Sequence, residues 1–296
     1  GTAGPATSHM TVAARSKTPW GPWEQSPYNP VARTTSRNDR WRSRGHGTLV
    51  EDPDGQWWLM LHAYENGYLT LGRQTLLEPV EWTEDGWFRL RGDDPAEPIR
   101  YSGTTKAPEN GMALSDDFAD ESLGMQWRRF DGFDRSRIER RDGALVLRAE
   151  GGRSSEPLLV TPGDHHYTLE VTIDPSGLEE DAFAGLCLFY NLDCWCGVFA
   201  FRDGRVAVAP RGRQPRMGVV QPESGPPSEV QLRLVNDHNE VDFHVRYGDG
   251  RWIQSETSLE VSGVHHNVFG GFLSLRAGLM AVGQGKAVFR DFRYLR

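Results

Sequence analysis

Apolar and polar residues alternate in short runs along this chain, and turn-forming residues bound the runs. In residues 1–106 the strand-like runs are 10–15, 47–51, 57–63, 68–75 and 87–90. Between them lie PWGPW, SPYNP, EDPDG, YENG and TEDG, all rich in turn chemistry. In EDPDG, Pro53 presets φ and Gly55 supplies a positive φ. Such strand-turn-strand units suit the four-stranded blades of a propeller. The runs make up about two blades where a propeller takes roughly 4–8, so the remaining blades are expected to be missing or supplied by another chain.

Residues 91–112 contain three prolines and little apolar periodicity, as expected of a connector. Beyond it the pattern changes. Strand-like runs recur at 144–149, 167–173, 182–190, 195–202, 206–209, 230–236, 240–247, 253–256, 272–275, 279–282 and 287–295. RDG and YGDG join neighbouring runs. No long amphipathic helix is predicted. This many strands predicts an antiparallel two-sheet sandwich. The segment 115–118, followed by Leu123 and Trp127, reads as its entry, and FRDFRYLR as a closing strand lying beside that entry. The expected fold class is therefore all-β: a partial propeller over 1–106, a linker at 107–112 and a sandwich over 113–296.

Composition narrows the partners. The net charge of -8 argues against nucleic acid as a partner, because non-specific affinity for it comes from phosphate neutralisation. No run of 18 apolar residues occurs, so no transmembrane helix and no membrane partner are expected. Cys187, Cys194 and Cys196 are three in number and cannot form a complete disulfide framework. They read as small packing residues. Residues 1–5 run directly into strand-like TVAARS with no initiator Met and no signal-peptide pattern, so the chain is expected to lack its natural beginning.

Several stretches carry a resemblance. GT followed by SHMTVAARSK, then GPWE, SPYNPV, GHGTLVEDPDGQWW and LGRQTLLEPVEWTEDGW, resembles the last two blades of the five-bladed propeller of glycoside hydrolase family 43. SDDFADESLGMQW and LFYNLDCW resemble the concanavalin A-like sandwich that closes β-xylosidases of that family. The resemblance implies β-D-xylosidase or α-L-arabinofuranosidase activity with inversion. Inversion uses an acid and a base roughly 6.5–9.5 Å apart. The family's proton-transferring residues, an Asp on the first blade and a Glu on the third with a second Asp tuning the acid, would all lie before Gly1.

The resemblance also assigns candidate residues. Arg73, in YLTLGR, corresponds to the Arg that hydrogen-bonds the sugar, a role suited to the fixed fork of guanidinium donors. His46, between Gly45 and Gly47, corresponds to the His that reaches the central channel near a hub metal, usually calcium held mostly through water. Thr2 and His9 correspond to positions on the pocket wall. Phe269, in VFGGF, corresponds to the sandwich-loop aromatic that closes the pocket, with Phe272 as the alternative in that loop. Glu65 and Asn66 are weaker candidates for the pocket mouth, since acidic turn residues usually face solvent. Most tryptophans are expected to pack blades.

Two readings follow. In the first, the chain is part of a glycosidase acting on xylo-oligosaccharide or arabinoxylan, with the remaining blades as its partner. In the second, it is a non-catalytic carbohydrate-binding or docking sandwich with a Trp-rich appendage.

Overall fold

A computed structural model of the chain describes residues 7–92, 111–152 and 154–296. The chain divides into two compact units, Gly1–Asn110 and Gly111–Arg296.

In the first unit the strands are β1 (Met10–Thr11), β2 (Ala14–Arg15), β3 (Glu24–Gln25), β4 (Ala32–Arg33), β5 (Trp41–Glu51), β6 (Trp57–Glu65), β7 (Arg73–Trp82) and β8 (Phe88–Leu90). β5-β6-β7-β8 form one four-stranded antiparallel meander. β1 pairs with β4, and β2 with β3, as two-stranded ribbons. One complete blade is thus present, and the second expected blade is represented by the two ribbons. Alternation along β6 turns Leu59 and Leu61 toward a small core with Val31, Ala32 and Val80. His62 and Tyr64 lie on the opposite face.

Two expected strands are corrected. The run 10–15 splits because the Asn29 side chain, not a neighbouring strand, takes part of the pairing at Ala13. Asn29 Oδ1 accepts from the Ala13 amide and Asn29 Nδ2 donates to the Ala13 carbonyl, both at 2.8 Å. The run 68–75 is interrupted by a 3-10 turn over Leu69–Leu71 that ends at Gly72 with φ 71°. Arg73 therefore begins a strand instead of ending one. Trp58 and Trp87 are buried as expected, but Trp20 is 94% exposed and Trp23 60%, so neither of these packs a blade.

In the second unit the strands are β9 (Arg128–Arg129), β10 (Ile138–Arg141), β11 (Ala144–Arg148), β12 (Leu158–Val160), β13 (His166–Asp174), β14 (Phe183–Asn191), β15 (Cys194–Phe201), β16 (Val206–Ala209), β17 (Met217–Val220), β18 (Val230–Asp237), β19 (Glu240–Tyr247), β20 (Ile253–Glu260), β21 (Arg276–Val282) and β22 (Lys286–Leu295). A single turn of helix, α1 (His266–Phe269), precedes β21. Two seven-stranded sheets result, in the orders β10-β11-β22-β13-β18-β19-β20 and β17-β16-β15-β14-β21-β12-β9. Asp116 bridges Phe292, so the entry segment lies beside the closing strand.

Strands β13, β18 and β19 alternate buried and half-buried residues. Their inward residues, including Leu169, Leu232 and Phe243, meet Leu186, Val198 and Leu279 in the main core. β14 and β15 depart from alternation. They are apolar runs buried on both faces, with Phe183, Phe189, Trp195 and Phe199 forming a second cluster. The cysteines are free and buried among these strands, and burial raises their thiol pKa values.

Candidate functional site

The G-H-G stretch lies within β5, where two register shifts against β6 fall between Arg42 and Gly45 and between Gly45 and Thr48. Ser43 (φ 56°) and His46 (φ 60°) occupy the left-handed region at these bulges, which are devices for re-aiming side chains. The His46 side chain is exposed. The flanking glycines are required by close approach. A Cβ at Gly45 would lie 2.8 Å from the His9 ring, and one at Gly47 would lie 2.8 Å from Leu59 and Thr11.

Three imidazoles and one guanidinium gather here. His9 is buried, and its Nδ1 donates to the Ser43 carbonyl at 2.8 Å. Its ring stacks on His62 at 5.2 Å with 26° between planes. His46 lies 5.3 Å from the same His62 ring at 44°. Arg73 donates from Nη1 to His62 Nε2 at 3.3 Å and from Nε to the Tyr64 hydroxyl at 3.4 Å. Register explains the meeting. Tyr64 pairs directly with Arg73 across β6 and β7, and Gly45 pairs with His62 across β5 and β6.

Because Arg73 can only donate, Nε2 of His62 accepts, and the ring proton of neutral His62 resides on Nδ1. That Nδ1 is buried with no hydrogen-bond partner. Burial, then the charges of Arg73, His9 and His46, lowers the His62 pKa from 6.5 to about 4. His62 is therefore neutral at pH 7. It serves as an acceptor that orients Arg73, leaving the cluster's fixed charge on the guanidinium.

A buried ion pair supports this face from behind. Arg44 donates to Glu78 through Nε at 3.2 Å and to the Arg33 carbonyl through Nη1 at 3.1 Å. This ties β5 to β7 and β4. Glu65 is also buried and accepts from Arg40 Nε at 3.0 Å, so it is not the solvated turn residue expected. Asn66 Nδ2 donates to the Arg37 carbonyl.

The structure thus brings together three sequence candidates, His9, His46 and Arg73. Thr2 lies outside the described residues. Phe269 belongs to the other unit, at the C-terminal end of α1. It is 45% exposed, and its ring lies 5.6 Å from that of Tyr190. Phe272, in the same loop, stacks on His266 at 4.0 Å. His62 and Tyr64 were missed. Their signal was the i, i+2 placement of two polar rings on a strand whose other face is Leu59 and Leu61.

A hub calcium is not supported by the donors present. Among the described residues no group of three or more His, Cys, Asp or Glu side chains is placed to hold a metal ion. The cluster offers imidazole nitrogens, whereas calcium takes oxygens. These residues do not by themselves fit the ion, and no chemistry is assigned through it.

Comparison with known proteins follows the same division of the chain. Residues 1–88 match the model for glycosyl hydrolases family 43. Residues 115–296 match that for the beta xylosidase C-terminal concanavalin A-like domain. A xylosidase/arabinosidase of Butyrivibrio fibrisolvens is 36% identical over 321 residues, spanning 99% of this chain and 60% of that protein. A non-reducing end alpha-L-arabinofuranosidase of Bacteroides ovatus is 36% identical over 129 residues, spanning 42% of this chain and 24% of that protein. Among solved structures, a GH43 protein of Bacillus licheniformis superposes with TM-score 0.86 at 25% identity, over 97% of this chain and 60% of that one. The chain therefore spans between 24% and 60% of the length of these relatives.

Proposed function

Because this chain belongs to glycosyl hydrolases family 43 and carries its beta xylosidase C-terminal concanavalin A-like domain, we propose that it forms the sugar-holding wall of a glycosidase. Its substrate is a xylo-oligosaccharide or an arabinose-decorated xylan. The reaction inverts the anomeric carbon, with the acid and the water-activating carboxylate supplied by the part of the relatives that this chain does not span. The observation that carries the reading is the Arg73–His62 pair. The guanidinium is held by a neutral imidazole and a tyrosine hydroxyl, and its fixed fork of donors suits sugar hydroxyls. The stacked His9 and the tilted His46 keep that orienting ring in place.

Hydrolysis of aryl β-D-xyloside and aryl α-L-arabinofuranoside tests this. The chain joined to its contiguous upstream reading frame should hydrolyse at least one of them, and Arg73→Ala should lower kcat/KM by about 10²-fold through lost substrate positioning. Appreciable turnover by the 296-residue chain alone would contradict the placement of the acids elsewhere. Xylan binding without cleavage by the joined protein would favour the carbohydrate-binding reading.

A further inference from the structure

Several arginines of the sandwich stand in ion pairs. Arg137 has Glu150 and Glu156, Arg233 has Glu170, Arg290 has Glu229 and Arg296 has Asp164. In one recess, three arginines without a carboxylate partner gather together. A cavity of about 620 Å³ is lined by Arg129, Arg135, Arg276, Phe130 and Phe133, with Asp131 as its single carboxylate. Among the described residues none of these three arginines forms an ion pair. This is a concentration of unneutralised positive charge on a chain of net charge -8.

Arg276 is the anchored member. Its Nη2 donates to the Tyr190 carbonyl at 3.2 Å, and its Nε is buried without a partner. Its guanidinium lies 5.5 Å from the centroid of Phe130 and 5.9 Å from that of Phe189. Phe130 in turn packs edge-on against Phe189 at 4.9 Å, which fixes the wall. A half-buried guanidinium with an unmet donor costs free energy unless something accepts from it. Phe130, Phe133 and Leu273 supply apolar wall beside it. Apolar wall with a few convergent charged donors is the composition of a small-molecule site.

We propose that this recess binds a uronic acid residue, its carboxylate held by Arg276, Arg129 and Arg135 and the C–H face of its ring against Phe130. The carboxylate suits the planar fork of guanidinium better than any neutral hydroxyl does. The phenyl walls suit a pyranose better than a bare inorganic anion. The choice of a sugar rests on the glycan-directed reading above; the choice of an anion rests on the three unpaired arginines alone. The site lies wholly within the sandwich unit and involves none of the His9, His46, His62 and Arg73 cluster. It would let the chain hold an acidic substituent of a polysaccharide apart from the bond being cleaved.

Isothermal titration of the full chain with methyl β-D-glucuronide, methyl β-D-xyloside and inorganic phosphate tests the assignment. The glucuronide should bind at least about tenfold tighter than phosphate, weaken as salt is raised, and lose at least about tenfold in affinity in both Arg276→Gln and Arg135→Gln, the size of one lost charge-assisted contact. Xyloside binding should be unchanged in both variants. Arg135 stands on an exposed turn, so Arg135→Gln decides the matter if Arg276→Gln fails to fold. Glucuronide binding that neither variant weakens, or phosphate binding as tightly as the glucuronide, would overturn the proposal. Glucuronide binding with no xyloside binding would uphold the recess and leave the glycosidase reading to the hydrolysis test above, since this chain carries only one wall of that pocket.

Discussion

The two units solve the same problem, burying a strand face, by different means. The sandwich fills the space between its sheets with apolar side chains from almost every strand. Its Arg137 guanidinium is buried with each nitrogen met: Nε by the Arg148 carbonyl, Nη1 by that of Glu156, and Nη2 by Ser155 Oγ and the Ala281 carbonyl; the Arg140 nitrogens are buried without a hydrogen-bond partner. Among the described residues the blade unit buries Val31, Ala32, Leu59, Leu61 and Val80 in one small apolar cluster, with Trp58, Ala63, Tyr64 and Trp87 buried besides, and it buries His9, Thr34, Arg44, Glu65 and Glu78 as well. Area burial dominates the first and specific polar pairing the second. The unit that carries the candidate site is the one whose stability depends on particular partners.

The largest effects should come from breaking each unit by its own mechanism. Glu78→Ala leaves the Arg44 guanidinium buried without its carboxylate and should cost about 3–5 kcal/mol. Phe243→Ala in the sandwich should cost about 3–5 kcal/mol through cavity formation. Amide exchange separates the two. The first substitution should lower protection in β5, β6 and β7 and leave β13, β18 and β19 unchanged, and the second should do the reverse. The combined Arg44→Met, Glu78→Leu variant should recover most of the blade's loss, because an apolar pair removes the stranded charge. Failure to recover would mean that the pair does more than fill space, for instance by fixing the register that presents Arg73.

A smaller effect tests the packing within the site. Gly45 has no positive φ, so it is required by space alone. Gly45→Ala places a methyl 2.8 Å from the His9 ring and should cost about 1–3 kcal/mol as overpacking does. His9→Ala in the same chain should relieve that clash, giving a coupling between the two substitutions that a thermal unfolding cycle would read. If Gly45→Ala is harmless by itself, His9 is held less firmly than its hydrogen bond to Ser43 indicates.

The same contrast explains what the sequence disclosed. In the sandwich, alternation in β13, β18 and β19 marks inward and outward residues almost one by one, because each strand has one face in the core. The double burial of β14 and β15 went unread, although FAGLCLFY and CWCGVFAF are near-continuous apolar runs. The two-residue strand β9 and the three-residue β12 are too short for any period to show. In the blade unit the pattern misled where a side chain or a glycine replaced strand pairing, at Asn29 and at Gly72. Of the site, His9, His46 and Arg73 were reachable only through the motifs that resemble a known family. His62 was hidden because a single polar residue within WWLMLHAYE reads as a lapse in a buried strand. Arg44 and Glu78 were hidden because a buried ion pair looks, in sequence, like two surface charges.

The smallest effect expected is the pH dependence that His62 gives the blade unit. In the unfolded chain its imidazole takes a proton near pH 6.5, whereas in the native unit burial, then the Arg73 guanidinium and the neighbouring His9 and His46 rings, hold it to about 4. Between these values the unfolded state binds more protons than the native state, so stability rises with pH there. His62's contribution is fully present above about pH 6.5 and is lost as pH falls through about 4. Solvent reaches part of the ring, which screens the effect and places it below the packing changes above. Urea unfolding of the wild type and of His62→Gln across this range isolates it, since carboxylates elsewhere titrate equally in both. The wild type should lose stability relative to the variant as pH falls from about 6.5 to 4, and the difference should be flat above 6.5. A constant difference across the range would mean that His62 is not held neutral by its neighbours.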